Sequence, residues 1–249
     1  SGGDDQINCV ADVLLRDLAP WSERVDPYVD DFAVFGSVCD PFEYLWRIIG
    51  SENALYWMAT HADLFHQFVD RVGTFLLEFT RAQIEAGAGR LSGMYIWGDV
   101  AYVNGMLFGA PRWREVFKPH VKAMIDLCHQ HGLMTIYHGC GDARDIFEDM
   151  VEIGLGGYNP LEAKAGLDVV DLKKQYAGRL AFVGNLDIRI LERGDPEAIR
   201  AEVRHKLQAA RGGGWVMQSD HSVSWDVSPE SYDLAVRTLR ELGEYPLDV

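Results

Sequence analysis

The stretch Leu133-Met-Thr-Ile-Tyr-His-Gly-Cys-Gly141 decides the fold. A short, largely apolar run that stops at glycines reads as a buried strand ending in a turn. Apolar residues recur at helical intervals on both sides of it, over 112–131 and 143–153. A buried strand between two helices is the repeating unit of α/β folds, whose chemistry gathers at the C-terminal strand ends. His138 and Cys140 stand at such an end, one residue apart. Residues i and i+2 of an extended strand share a side, so an imidazole and a thiol project together there. That pair suits a soft or borderline metal such as zinc. Taken alone, such a pair is more often a packed histidine beside a buried cysteine.

Working outward, the pattern predicts helices over 4–18, 41–49, 52–61, 62–86, 168–176, 196–210 and 229–243. In the helix over 62–86, Phe65, Phe68, Val69, Val72, Phe75, Leu76, Phe79 and Ile84 form the buried stripe. Strands are predicted over 31–36, 90–98, 157–159, 179–185 and 214–219 in addition to the central one. Strict β/α alternation with short connections implies a parallel sheet. About six strands are legible where a closed barrel needs eight, so either two are missing or the sheet is open. The chain divides into an N-terminal helix and loop over 1–30 and one α/β domain over 31–249.

Bulk properties narrow the function. A chain of 249 residues fills one large domain, and its net charge of -15 argues against nucleic acid or an anionic membrane as the partner. No apolar run approaches the roughly 20 residues of a membrane span. Four cysteines without paired spacing, and no signal-peptide pattern, point to reduced thiols in a cytoplasm. Ser1-Gly-Gly3 reads as a cloning scar, and a homodimer is the default assembly.

The predicted strand mouths collect Asp99, His138, Cys140, Asn159, Glu162, Lys164, Asn185, Asp187, Arg189, Asp220 and His221. Each has a plain structural alternative. Asn185-Leu-Asp187 fits a turn and cap before Ile188, Glu162 and Lys164 fit a mutual ion pair, Asp99 fits a cap, and His221 fits a structural role. So many polar groups at one rim still exceed what structure requires.

A family resemblance is carried by Trp97-Gly-Asp99, Pro119, the His138-Gly-Cys-Gly141 turn, Tyr158-Asn-Pro160, Gly184-Asn-Leu-Asp187, Asp220-His-Ser222 and Ser228-Pro-Glu-Ser231, in that order. Together these resemble the uroporphyrinogen decarboxylase superfamily, which also contains corrinoid-linked, zinc-dependent methyltransferases. The resemblance covers roughly 31–246 and implies a (β/α)8 TIM-barrel fold, here lacking about two N-terminal strands. It speaks against a true uroporphyrinogen decarboxylase. The arginine-bearing first strand and the aspartate after it are absent, and the expected tyrosine falls near Arg47, after Asp40-Pro-Phe42. In the methyltransferases a His-x-Cys pair and a later cysteine hold zinc. Here His138 and Cys140 match the pair, and His221 falls where the cysteine is expected. Three protein ligands would leave a fourth position open.

The implied activity is methyl transfer between a small thiol or methoxylated substrate and a corrinoid carried by a separate protein. His138, Cys140 and His221 are the expected metal ligands. Asp99, Glu162 and His221 are the expected catalytic groups, and Trp97, Asn159, Lys164, Asn185 and Asp187 the expected substrate contacts. One alternative is a metal-free lyase acting on a small carboxylated compound, with His221 as proton donor and Arg47 or Arg189 as carboxylate clamp. Another is a non-catalytic partner subunit whose open sheet edges are covered by a second chain.

Overall fold

The structure, a computed structural model, describes residues 26–247. The helix predicted over 4–18, Cys9 and most of the 1–30 segment lie outside them. Along the chain the elements are β1 (Phe35–Cys39), α1 (Pro41–Ile49), α2 (Ser51–Thr60), α3 (Ala62–Gly87), β2 (Gly93–Trp97), β3 (Ala101–Tyr102), β4 (Gly105–Met106), α4 (Ala110–Val116), α5 (Lys118–Gln130), β5 (Met134–His138), α6 (Phe147–Glu152), β6 (Gly157–Asn159), α7 (Val169–Tyr176), β7 (Ala181–Val183), α8 (Ile188–Arg193), α9 (Pro196–Leu207), β8 (Trp215–Val216) and α10 (Pro229–Leu242). This is the expected α/β alternation of the TIM-barrel type, with short 3-10 turns between some elements.

Two compact units divide the chain. The first comprises 26–98, 110–137 and 152–155. In it β1 pairs in parallel with β2, Phe35 opposite Gly93 and Cys39 opposite Trp97. Asp40 caps α1 by accepting the Glu43 N–H at 2.7 Å, with Pro41 in the first turn where its missing N–H costs nothing. The same aspartate, fully buried, accepts the Tyr137 hydroxyl at 2.6 Å. The stripe predicted on α3 is realised by Phe65, Val69, Val72, Leu76, Phe79 and Ile84, all buried. Phe117 packs edge-on against Phe42 and Phe65, at centroid distances of 5.7 and 6.3 Å. From α3, the Gln83 amide donates to the Ser37 carbonyl and accepts the Ser37 N–H, at 2.9 and 3.0 Å, satisfying both main-chain polar groups of that β1 residue with a side chain.

The second unit comprises 99–109, 138–151 and 156–247. Its strands run in parallel in the order β6-β7-β8, with Phe182 opposite both Tyr158 and Trp215. The ladder continues as a bridge between Leu186 and Ser219. Leu186, Leu191, Ile199, Val203, Leu207 and Ala235 form one core from α8, α9, α10 and the strand-end loop. The β3–β4 hairpin also belongs here.

Several elements differ from the sequence-based expectation. The strand predicted over 31–36 lies at Phe35–Cys39, because Phe32 is 65% exposed and its N–H closes a turn on Tyr28. The helix predicted over 112–131 is two helices broken at Phe117. Pro119 has no N–H to carry the ladder across, and its ring disfavours continuation. The stretch over 143–153 begins as a 3-10 turn and becomes helical at Phe147. α8 and the β3–β4 hairpin were not anticipated. None of the described helices is long and apolar enough to cross a membrane.

Candidate functional site

The His-Gly-Cys-Gly turn at the end of β5 is shaped from several sides. The Gly139 N–H reaches the Asn159 carbonyl at 2.8 Å, and the Tyr158 hydroxyl donates to the Gly139 carbonyl at 3.1 Å. Gly141 has a φ of +79°, and a Cβ there would sit 2.6 Å from the backbone of Tyr102 on the hairpin. Only glycine fits this position on both counts. The turn directs the Cys140 N–H onto Asp99 Oδ1 at 2.9 Å.

Asn159, the last residue of β6, sets the state of His138. Its Nδ2 donates to the Val183 carbonyl at 3.0 Å and to Gln218 Oε1 at 2.8 Å, so its Oδ1 is the atom facing His138 Nδ1 at 2.7 Å. An acceptor at that point requires a proton on Nδ1, so in the neutral imidazole the lone pair is on Nε2. Nε2 lies 3.6 Å from Cys140 Sγ and 3.8 Å from Asp99 Oδ1.

Glu162 approaches from the loop after β6. It precedes a 3-10 turn (Ala163–Ala165) but makes no side-chain cap with it. Its buried carboxylate lies 3.3 Å from Lys164 Nζ and 3.5 Å from His221 Nε2 instead. Asp99, His138 and Cys140 form one set of donor atoms lying within 4.8 Å of one another, and Cys140, Glu162 and His221 form a second. The two sets share the thiol. Burial pushes that thiol well above its ordinary pKa, the Asp99 and Glu162 charges push it the same way, and Lys164 opposes them. Two imidazoles, a thiol and two carboxylates are a donor set that suits zinc.

The other expected contacts separate by role. Lys164 is half-exposed and pairs with Glu162. Asp187 caps α8 through the Arg189 N–H at 3.0 Å and grips the Arg189 guanidinium at 2.9 and 2.7 Å. Asn185 is fully buried. Its amide donates to the Leu161 and Leu167 carbonyls at 2.6 and 3.0 Å, and accepts from the Val169 N–H and Lys206 Nζ at 2.9 and 2.8 Å. Every polar valence of Asn185 is therefore committed to the scaffold, and none is left for a substrate. Trp97, in the first unit, donates its indole N–H to Ser37 Oγ at 2.6 Å and lies against Tyr95 at a centroid distance of 5.0 Å. Arg47 is held by Glu43. Gln218, two residues past β8, was missed, since nothing in its residue type or spacing marks it as the partner of Asn159.

An α/β barrel-type chain with imidazole and thiol donors at the C-terminal strand ends defines the class. The description "Uroporphyrinogen decarboxylase (URO-D)" matches residues 23–242, and the chain belongs to that family. The uroporphyrinogen decarboxylase of Pseudoalteromonas translucida is 26% identical over 185 residues, covering 72% of this chain and 48% of the relative. The methylcobamide:CoM methyltransferase MtaA of Methanosarcina barkeri is 26% identical over 207 residues, covering 80% and 57%. A solved methyltransferase from Methanosarcina mazei superposes with a TM-score of 0.73 over 94% of this chain and 67% of that one, at 22% identity, which shows the shared fold. The chain spans about half the length of the curated relatives it matches.

Proposed function

We propose that this chain is a zinc-dependent methyltransferase that moves a methyl group between a small thiol or methoxylated substrate and a corrinoid carried by a separate protein. The observation that carries the reading is the meeting of two donor sets at the Cys140 thiol, beside a His138 whose neutral tautomer Asn159 fixes with the proton on Nδ1. The methyltransferase relative, named for a methylcobamide and CoM, supports the same chemistry. Among the described residues Cys39, Cys128 and Cys140 form no disulfide, which supports a reducing, cytoplasmic setting.

His138, Cys140 and His221 would hold the metal, with Glu162 and Asp99 as further donors within reach. Bound zinc would supply Lewis acidity, lowering the pKa of a substrate thiol or polarising an ether oxygen. Asp99 fixes the Cys140 main chain through its N–H. Glu162 Oε1 is placed to take the proton a substrate thiol gives up, and Lys164 Nζ offsets the negative charge that remains. The test is methyl transfer from methylcobalamin to a panel of small thiols, and from methoxylated compounds to reduced cobalamin. Turnover that disappears in Cys140→Ser and after chelation supports the proposal. Absence of any transfer by the wild-type chain overturns it.

The decarboxylase relatives favour a second reading, a metal-free lyase with His221 Nε2 as proton donor. Its carboxylate clamp is weakened because Arg47 and Arg189 are engaged by Glu43 and Asp187. Decarboxylation that persists after chelation would favour it.

A further inference from the structure

We propose that Asp220 is a positioning residue that sets Glu162 and His221 against Cys140. The inference rests on the metal-site reading above. Asp220 is 2% exposed and immediately precedes His221. Its Oδ2 accepts the N–H of Ala163, the residue after Glu162, at 2.9 Å. Its Oδ1 accepts the Ile188 N–H at 3.0 Å, and its own N–H reaches the Leu186 carbonyl at 2.9 Å. One buried carboxylate thus ties the peptide following Glu162 to the one preceding His221, and anchors both to the start of α8.

The consequence for Glu162 is direct. The first N–H groups of a helical turn need acceptors, and the residue at the cap ordinarily supplies one. Asp220 takes the Ala163 N–H and so fixes the peptide that carries Glu162, whose carboxylate makes no cap bond and extends toward Lys164 and His221. The loop is braced a second time where Asn185 binds the Leu161 and Leu167 carbonyls, but that brace acts before Glu162 and well after it. The Asn159–Gln218 bond joins the same two stretches three residues upstream, and the Ala163–Asp220 bond joins them at the residues adjoining Glu162 and His221. Both oxygens of Asp220 face N–H donors. An asparagine can satisfy one of them and must present its own NH2 to the other, so Asp220→Asn removes one link without changing volume.

The experiment is a titration of the metal-stripped chain with Co(II), reading the dissociation constant and the thiolate-to-cobalt absorption band. It uses wild type, Asp220→Asn, Asp220→Ala, and the Asp220 variants combined with Glu162→Gln. The expected result is a ~10–100-fold loss of affinity in Asp220→Ala and a smaller loss in Asp220→Asn. Both variants should shift the absorption band. In the Glu162→Gln background the Asp220 effect should shrink to the part that runs through His221, because one of the two residues it positions is no longer an anionic donor. Asp220→Asn alone decides the matter if Asp220→Ala does not fold. Wild-type affinity and spectrum in the variants, or an undiminished loss in the Glu162→Gln background, overturns the inference while leaving the metal site standing. A wild-type chain that binds no Co(II) overturns both.

Discussion

Replacing Lys206 with methionine tests the network beneath the site. Lys206 is 3% exposed, and its ammonium lies 2.6 Å from Asp168 Oδ2 and 2.8 Å from Asn185 Oδ1. Removing one partner of a buried ion pair costs about 3–5 kcal/mol. Asp168 remains 30% exposed and keeps the His205 ring and the Val170 N–H, so the expected loss is about 2–3 kcal/mol, read as a fall of about 1 M in the urea midpoint. Burial pushes the Asp168 carboxyl up, but the hydrogen bond and charge of Lys206, aided by His205 and the Val170 N–H, bring it down to about 2. The unfolded value is about 3.9. A folded pKa below the unfolded one gives stability that is complete above pH ~4 and withdrawn as pH falls toward ~2. The gap between wild type and Lys206→Met should therefore narrow by up to about 2 kcal/mol across that window. A gap that stays constant from neutral pH to below ~3 would refute the role assigned to the pair.

Other outcomes follow from the same geometry. Asn159→Leu removes the acceptor that orients the His138 ring and fixes its Nδ1–H tautomer. It should weaken metal binding by ~10–100-fold in a chain that still melts cooperatively, which a competitive zinc titration with circular dichroism will show. Gly141→Ala adds a Cβ that meets the Tyr102 backbone at 2.6 Å, at a φ of +79°. It should cost about 2 kcal/mol or more, measured by thermal unfolding without metal. Asn185→Ala leaves two carbonyls, one N–H and the Lys206 ammonium short of a partner. It should destabilise by about 3 kcal/mol, and a purely functional effect with unchanged stability would contradict the scaffold role.

Much of the fold was legible because burial leaves a periodic trace. α3 and β6 fall where the apolar spacing puts them, since α3 buries one continuous stripe and β6 is buried throughout. β1 was misplaced because hydrophobicity marks Phe32 as core, whereas a turn closed on Tyr28 leaves it in solvent. The break at Phe117 is invisible to periodicity, because both helices continue the same apolar spacing through it. Within the site, His138, Cys140, Glu162 and His221 were marked by residue type and by position at strand ends. Asn185 and Asp187 carry the same mark for another reason. Strand ends also need groups to satisfy exposed peptides, and amides and carboxylates serve that need as readily as they bind substrate. Only the partners separate the two roles: Asn185 faces three backbone groups and the buried Lys206 ammonium, whereas Glu162 faces Lys164 and His221.

The most direct measurement is zinc per chain by elemental analysis, on protein purified without chelator, beside His138→Ala. The account predicts about one equivalent in the wild type, as expected of a single thiolate–imidazole site, and loss of most of it in the variant. Full metal content in His138→Ala, or none in either protein, would contradict the assignment of these side chains to a metal.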